Sequence, residues 1–282
     1  RFSNLICSPS GQLWLILSGG GGFFVFDPGA NVESSTDDLF RKFKLTDRNG
    51  NSLPNDIYSM EFDSDGYLWI GTSEGVLISY NPEDVLDATK FEVQRVKIPD
   101  VVQGLAAYLL QTETVTSITV DGGNRKWFGT SKSGMFLQSS DGSKQIQNFN
   151  TQNSPLPSNI IVDIKIHPIS GEVFIATEKG VVAYRGDATS PSDKFGKVYA
   201  FPNPVKPDFE GVISIVGLVE NTTVKITDIS GNLVYETQSL GGQATWDGKN
   251  LNGHKVSTGV YLIFCSDSKG EETAVSKLLF IK

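Results

Sequence analysis

The side chains able to do covalent or metal chemistry are few and scattered. Residues Gly71-Thr-Ser-Glu-Gly75 match the G-x-S-x-G pattern of a nucleophilic serine. That chemistry needs the serine on a sharp strand-to-helix elbow, whereas Ser73 stands between two strand-like stretches. A sister turn, Ser131-Lys-Ser-Gly134, repeats the arrangement and marks it as structural. The only histidines, His167 and His254, each lie beside a turn residue and read as surface loop positions. Cys7 and Cys265 are far apart and read as two lone buried thiols rather than a disulfide. No HExxH or CxxC zinc spacing occurs. Asp63-x-Asp65-Gly66 with Glu74 imitates a calcium loop, but its glycine falls at position four rather than six, so it reads as a turn. Gly19 to Gly22 precede the strand-like Phe23–Phe26, which leaves no helix N-terminus to receive a phosphate. The expectation is therefore no catalytic, cofactor-binding or metal-binding residue and no cofactor: a chain that is not an enzyme.

A unit written four times must position these residues. Its clearest copy runs from Ile57 through Asp65-Gly66, Leu68-Trp-Ile-Gly-Thr72 and Gly75 to Tyr80. A second copy passes Asp121-Gly122, Trp127-Phe-Gly-Thr130 and Gly134. A third passes Ser170-Gly171, Val173-Phe-Ile-Ala-Thr177 and Gly180. A degenerate first copy has Ser10-Gly11 and Leu13-Trp-Leu-Ile16 but lacks the Gly-Thr. The central aromatics are Trp14, Trp69, Trp127 and Phe174, at spacings of 55, 58 and 47 residues. Leu68-Trp69-Ile70 is continuously apolar, which implies a strand covered on both faces. Fourth strands are expected at Phe91–Ile98, near Phe40–Leu45 and at Ile146–Phe149, while the last copy lacks one. Four short antiparallel strands per ~50 residues, packed face to face, make a β-propeller blade.

These repeats resemble the two-component-regulator propeller repeat over residues 1–185. The resemblance implies an all-β fold and blades forming an arc of a larger propeller. Composition shifts after Tyr184, and residues 191–282 read as a separate immunoglobulin-like β-sandwich of about seven strands, leaving 1–190 to the four blade repeats. Phe201-Pro-Asn-Pro204, Trp246-Asp-Gly248, Asn252-Gly253, Gly259-Val-Tyr261 and the terminal Lys-Leu-Leu-Phe-Ile-Lys resemble the C-terminal sorting domain of the type IX secretion system of Bacteroidetes. The Trp-Asp-Gly to Gly-Val-Tyr stretch is also similar to the Ig-like domain of flagellar hook-capping proteins.

The pairing of the two parts resembles PorZ-type surface components of that machinery. It implies a non-enzymatic extracytoplasmic scaffold, at the cell surface or in the periplasm and associated with the outer membrane. Its partners would be proteins of a secretion and attachment complex or a surface glycan. The same repeats also occur in glycan-sensing propellers of hybrid two-component regulators. A sorting domain can equally accompany a secreted glycan-active enzyme. The formal charge of −8 and pI near 4.9 argue against nucleic acid as a partner. No apolar run reaches the ~18 residues of a membrane helix. Without an initiator Met or signal peptide, the chain reads as a fragment or a processed product. The enlarged apolar connection 101–110 is the candidate partner-binding loop, with Val102, Leu105, Tyr108 and Leu109 as its contact residues.

Overall fold

The computed structural model describes residues 2–87, 90–99 and 107–282. Its elements are β-strands apart from one 3-10 turn at Pro82–Asp84. The first sheet orders β1 (Phe2–Cys7), β2 (Leu13–Leu17), β3 (Phe23–Asp27) and β4 (Leu39–Phe43) as an antiparallel meander. The second repeats the plan with β5 (Ile57–Phe62), β6 (Leu68–Thr72), β7 (Gly75–Ser79) and β8 (Gln94–Arg95). A ribbon of β9 (Lys97–Ile98) and β10 (Ala107–Tyr108) follows. The third blade holds β11 (Val115–Val120), β12 (Lys126–Thr130), β13 (Met135–Gln138) and β14 (Gln145–Phe149). The fourth has three strands, β15 (Ile161–Ile166), β16 (Glu172–Thr177) and β17 (Gly180–Arg185).

The fourth strand of the second repeat is not the single run 91–98. Phe91 and Val93 turn into the core beside Trp14, and the chain then splits into β8 and β9, the latter leaving the blade to pair with β10.

Burial separates inner blades from flanking ones. Every residue of β6, β7 and β12 is buried, as expected of strands covered on both faces. In β2 and β16 burial alternates instead: the second face of β2 is half-buried, and that of β16 is exposed at Glu172 and Phe174. Trp14, Trp69 and Trp127 are all at most 1% exposed, but Phe174, at the same repeat position, is 42% exposed. The central aromatic is therefore buried in the first three blades and not in the fourth. Val162 and Val181 of the same blade are exposed as well. The seams are the cores: Trp14, Phe23, Met60, Leu68 and Ile70 fill the first, and Trp69, Ile78, Val115, Ile118 and Phe128 the second.

The Gly-Thr signature has a mechanical origin. A Cβ at Gly71 would sit 2.8 Å from the Val115 carbonyl oxygen, and one at Gly129 would sit 2.6 Å from Ile161 Cγ2. The glycine is where the next blade's inner strand comes closest. The threonine closes the following hairpin: Thr72 Oγ1 donates to the Gly75 carbonyl (2.9 Å) and accepts from the Glu74 N–H (3.1 Å). Thr130 and Thr177 repeat that bond to the Gly134 and Gly180 carbonyls.

The chain divides into two compact units: residues 1–120, 125–166 and 174–183 in one, and 121–124, 167–173 and 184–282 in the other. The second unit contains β18 (Tyr199–Phe201), β19 (Ile213–Val216), β20 (Thr223–Thr227), β21 (Leu233–Gln238), β22 (Gln243–Trp246), β23 (Gly259–Ser266) and β24 (Thr273–Phe280). They form a three-stranded sheet, β18-β19-β22, and a four-stranded sheet, β21-β20-β23-β24, an Ig-like sandwich. Between the sheets lie Ile215, Val224, Ile226, Trp246, Ile263, Leu278 and Phe280. Cys265 is in that core, where burial pushes its thiol up to about 11. Cys7 is exposed, contrary to its reading as a buried thiol.

Candidate interaction face

The turn between β6 and β7 meets the connection that enters the third blade. Gly75 N–H donates to the Glu113 carbonyl (2.9 Å), and Val76 N–H to that of Leu109 (3.3 Å). Gly75 adopts φ +91°, and a Cβ there would strike the carbonyl oxygens of Leu109 and Leu110 at 2.7 and 2.8 Å. Leu109 N–H is itself bonded to the Val96 carbonyl (2.9 Å), so the segment is held by main chain on both sides.

This places the predicted contact residues individually. Leu109 is 2% exposed and belongs to the core of the second seam, so its side chain is not available to a partner. Tyr108 is half-buried at the surface of the ribbon, and the Arg95 guanidinium lies 5.8 Å from its ring centroid. Arg95 also grips the turn, with Nη1 donating to the Glu74 carbonyl and Nη2 pairing with Glu74 Oε2, both at 2.9 Å. Val102 and Leu105 lie outside the described residues. Beside this group, Lys132 Nζ donates to the Thr112 carbonyl (3.1 Å) and Ser133 Oγ to Glu113 Oε1 (2.8 Å). The result is an aromatic ring flanked by charged and hydroxyl groups on one edge of the second and third blades. Such a surface can stack on an apolar or sugar face while its charges orient the partner.

Ser73 lies in the same turn, between strands and not on a strand-to-helix elbow. Asp63 is fully engaged: Oδ1 accepts from the N–H of Asp65 (3.0 Å) and Tyr67 (2.9 Å), and Oδ2 from Trp69 Nε1 (2.7 Å).

Two polar groups escaped the sequence reading. Lys126 is wholly buried, with Nζ 2.9 Å from Asp63 Oδ2 and 4.9 Å from the Trp69 ring centroid. The signal was present: in the repeat register Lys126 occupies the position of Leu68, and a charge there requires a buried partner. The second group lies on the inner strands. Ser117 Oγ donates to Asp163 Oδ1 (2.8 Å), and Lys165 Nζ stands 3.7 Å from the same oxygen. Near them burial pushes the Glu61 carboxyl up to about 7, with Lys165 opposing the rise and Asp163 adding to it.

In the sandwich the signature residues are structural. Trp246 Nε1 donates to the Lys249 carbonyl (2.7 Å), and Tyr261 OH to that of Ser257 (2.8 Å). Asn203 works as an edge clasp: its Nδ2 donates to the Lys277 carbonyl (3.0 Å) and its Oδ1 accepts from Leu279 N–H (3.1 Å). This satisfies backbone groups on the outer edge of β24, which would otherwise invite pairing.

Residues 199–282 match the family described as the secretion system C-terminal sorting domain, and residues 51–74 match the two component regulator propeller. Propeller repeats joined to a type IX sorting domain define an extracytoplasmic, cell-surface protein related to that secretion system. The chain is PorZ-like. It is 31% identical to PorZ, a bacterial surface component of the type-IX secretion system of Porphyromonas gingivalis, with a TM-score of 0.65 over 100% of this chain. It spans 39% of PorZ's length. The extracellular domain of the putative hybrid two component system BT4673 from B. thetaiotaomicron is 13% identical over 100% of this chain and 37% of its own, with a TM-score of 0.44. No curated protein matches the sequence. Among the described residues no helix is long and apolar enough to cross a membrane.

Proposed function

We propose that this chain is a non-catalytic binding scaffold of the type IX secretion machinery at the cell surface. Its blades present a docking face to a protein of the secretion and attachment complex, and residues 191–282 direct its own export. The observation that supports this reading most is the 31% identity to PorZ, which runs through propeller and sorting domain together. The acidic balance of the chain and the engagement of Asp63 and Ser73 in turns fit a recognition role. On this reading Tyr108 and Arg95 are the contact residues of the face.

The test is crosslinking on cells that export the chain, followed by identification of the captured proteins. Type IX components should be captured by the unsubstituted chain, and Tyr108→Ala with Arg95→Ala should reduce capture at least tenfold with surface display unchanged. Equal capture by both forms would reject the face, and capture of no type IX component would reject the scaffold reading.

A further inference from the structure

The blades use one turn in several chemical versions. In the second blade Asp63 N–H bonds to the Tyr67 carbonyl and Gly66 N–H to that of Asp63; in the first, Ser8 and Gln12 make the former bond and Gly11 and Ser8 the latter. Ser8 therefore stands where Asp63 does, Gln12 where Tyr67 does, and Trp14 where Trp69 does. Ser8 Oγ reproduces one aspartate oxygen, accepting from Gln12 N–H at 2.9 Å as Asp63 Oδ1 accepts from Tyr67 N–H at 2.9 Å. A serine has no second oxygen to take the place of Asp63 Oδ2, which receives the Trp69 indole N–H. In the fourth blade His167 holds the position, its Nδ1 accepting from Ser170 N–H, and there the ring is Phe174, which has no N–H to satisfy.

The first blade alone thus keeps the indole without the carboxylate. Trp14 is 0% exposed and Gln12 is 6% exposed, and neither Trp14 Nε1 nor Gln12 Oε1 has a hydrogen-bond partner in the protein. A buried donor and a buried acceptor left unpaired each carry an uncompensated desolvation cost. A cleft of about 130 Å³ is lined by Gln12 and Ser8, the residue standing where Asp63 receives the Trp69 indole N–H, together with Ser10, Phe62 and Glu83 among others. A water molecule takes up about 30 Å³ in the liquid and needs two to four polar partners. The charge pattern argues against an anion. At the second seam the carboxylate is matched by Lys126, but the equivalent residue at the first seam is Leu68, so nothing would neutralise an anion. Asp27, which accepts from Gln12 Nε2 at 3.1 Å, and Glu83 carry negative charge nearby, but the indole N–H is a donor and offers a cation no ligand.

We propose that an ordered water is built into the first seam, accepting from Trp14 Nε1–H, donating to Gln12 Oε1 and contacting Ser8 Oγ. It replaces the second oxygen of the aspartate. The first seam is then hydrated at this position, where the second is closed by a buried ion pair.

The chain has four indoles, and two of them, Trp69 and Trp246, donate to protein oxygens and serve as internal references. The test is water-selective NOE spectroscopy on the intact chain with nitrogen-15-labelled tryptophan. Trp14 Hε1 should give a direct water cross-peak that Trp69 Hε1 lacks. Gln12→Leu should abolish or at least halve the peak, and Ser8→Ala should retain it, which separates water from relay through the serine hydroxyl. No cross-peak at Trp14 in the unsubstituted chain would overturn the proposal. So would loss of the peak in Ser8→Ala, or an undiminished peak in a folded Gln12→Leu.

Discussion

Trp69 and Phe174 occupy the same place in their repeats, yet one is sealed and the other is 42% exposed. Around Trp69 the neighbouring blade supplies Phe128, with ring centroids 6.1 Å apart, and the buried ammonium of Lys126. Around Phe174 the accompanying residues have changed too. Ala176 replaces the glycine that Gly71 and Gly129 provide for close approach, and His167 replaces the aspartate that anchors an indole. A blade face is thus fitted to what lies against it. The second blade's face is matched to a particular neighbour, and the fourth blade's face is apolar and open.

Six substitutions would break or sharpen this comparison. The largest effects belong to the second seam. Lys126→Ala leaves Asp63 buried without its counter-charge and should cost about 3–5 kcal/mol in urea unfolding. Trp69→Ala should cost about 3–5 kcal/mol, because it empties a filled seam. Phe174→Ala should cost under about 1 kcal/mol by the same measurement, as expected for a ring already half in water.

Glu61 gives a pH signature. Its folded carboxyl is raised from 4.5 to about 7, so the folded state holds the proton more tightly than the unfolded chain. That contribution is present at acidic pH and is lost as pH rises through about 7. Glu61→Gln should remove the decline and leave the protein more stable than the parent at pH 8, by up to about 3 kcal/mol. Unfolding curves at pH 5 and pH 8 check this.

The smallest contrast concerns backbone approach. Gly129→Ala forces its Cβ onto Ile161 and should cost about 1–3 kcal/mol, whereas Ala176→Ser on the open face should change the melting temperature little.

Much of this was readable from the chain. The Asp-Gly turns, the Gly-Thr hairpins and the continuous apolar strand of the second repeat follow from local chemistry, and three sheets of four strands and one of three resulted. The sandwich strands followed from alternation, as in Val224 and Ile226 against Lys225. What escaped depends on contacts between repeats. Lys126 stands at the register position of Leu68, but its partner Asp63 comes from the preceding blade and local sequence does not name it. Phe174 reads as a core aromatic because local sequence does not encode whether a neighbour covers its face. Leu109 reads as loop surface, but the connection folds back over the Gly75 turn and draws it inside. Cys7 reads as buried for the same reason: its strand belongs to a flanking blade.

Hydrogen exchange on β7 and β17, equivalent strands of the second and fourth blades, tests the distinction between sealed and open faces most directly. β7 lies between β6 and β8 with all its residues buried, whereas β17 is an edge strand with none of its residues buried. The amides of β7 should exchange at least about a hundredfold more slowly than those of β17. Equal protection of the two strands would contradict the account.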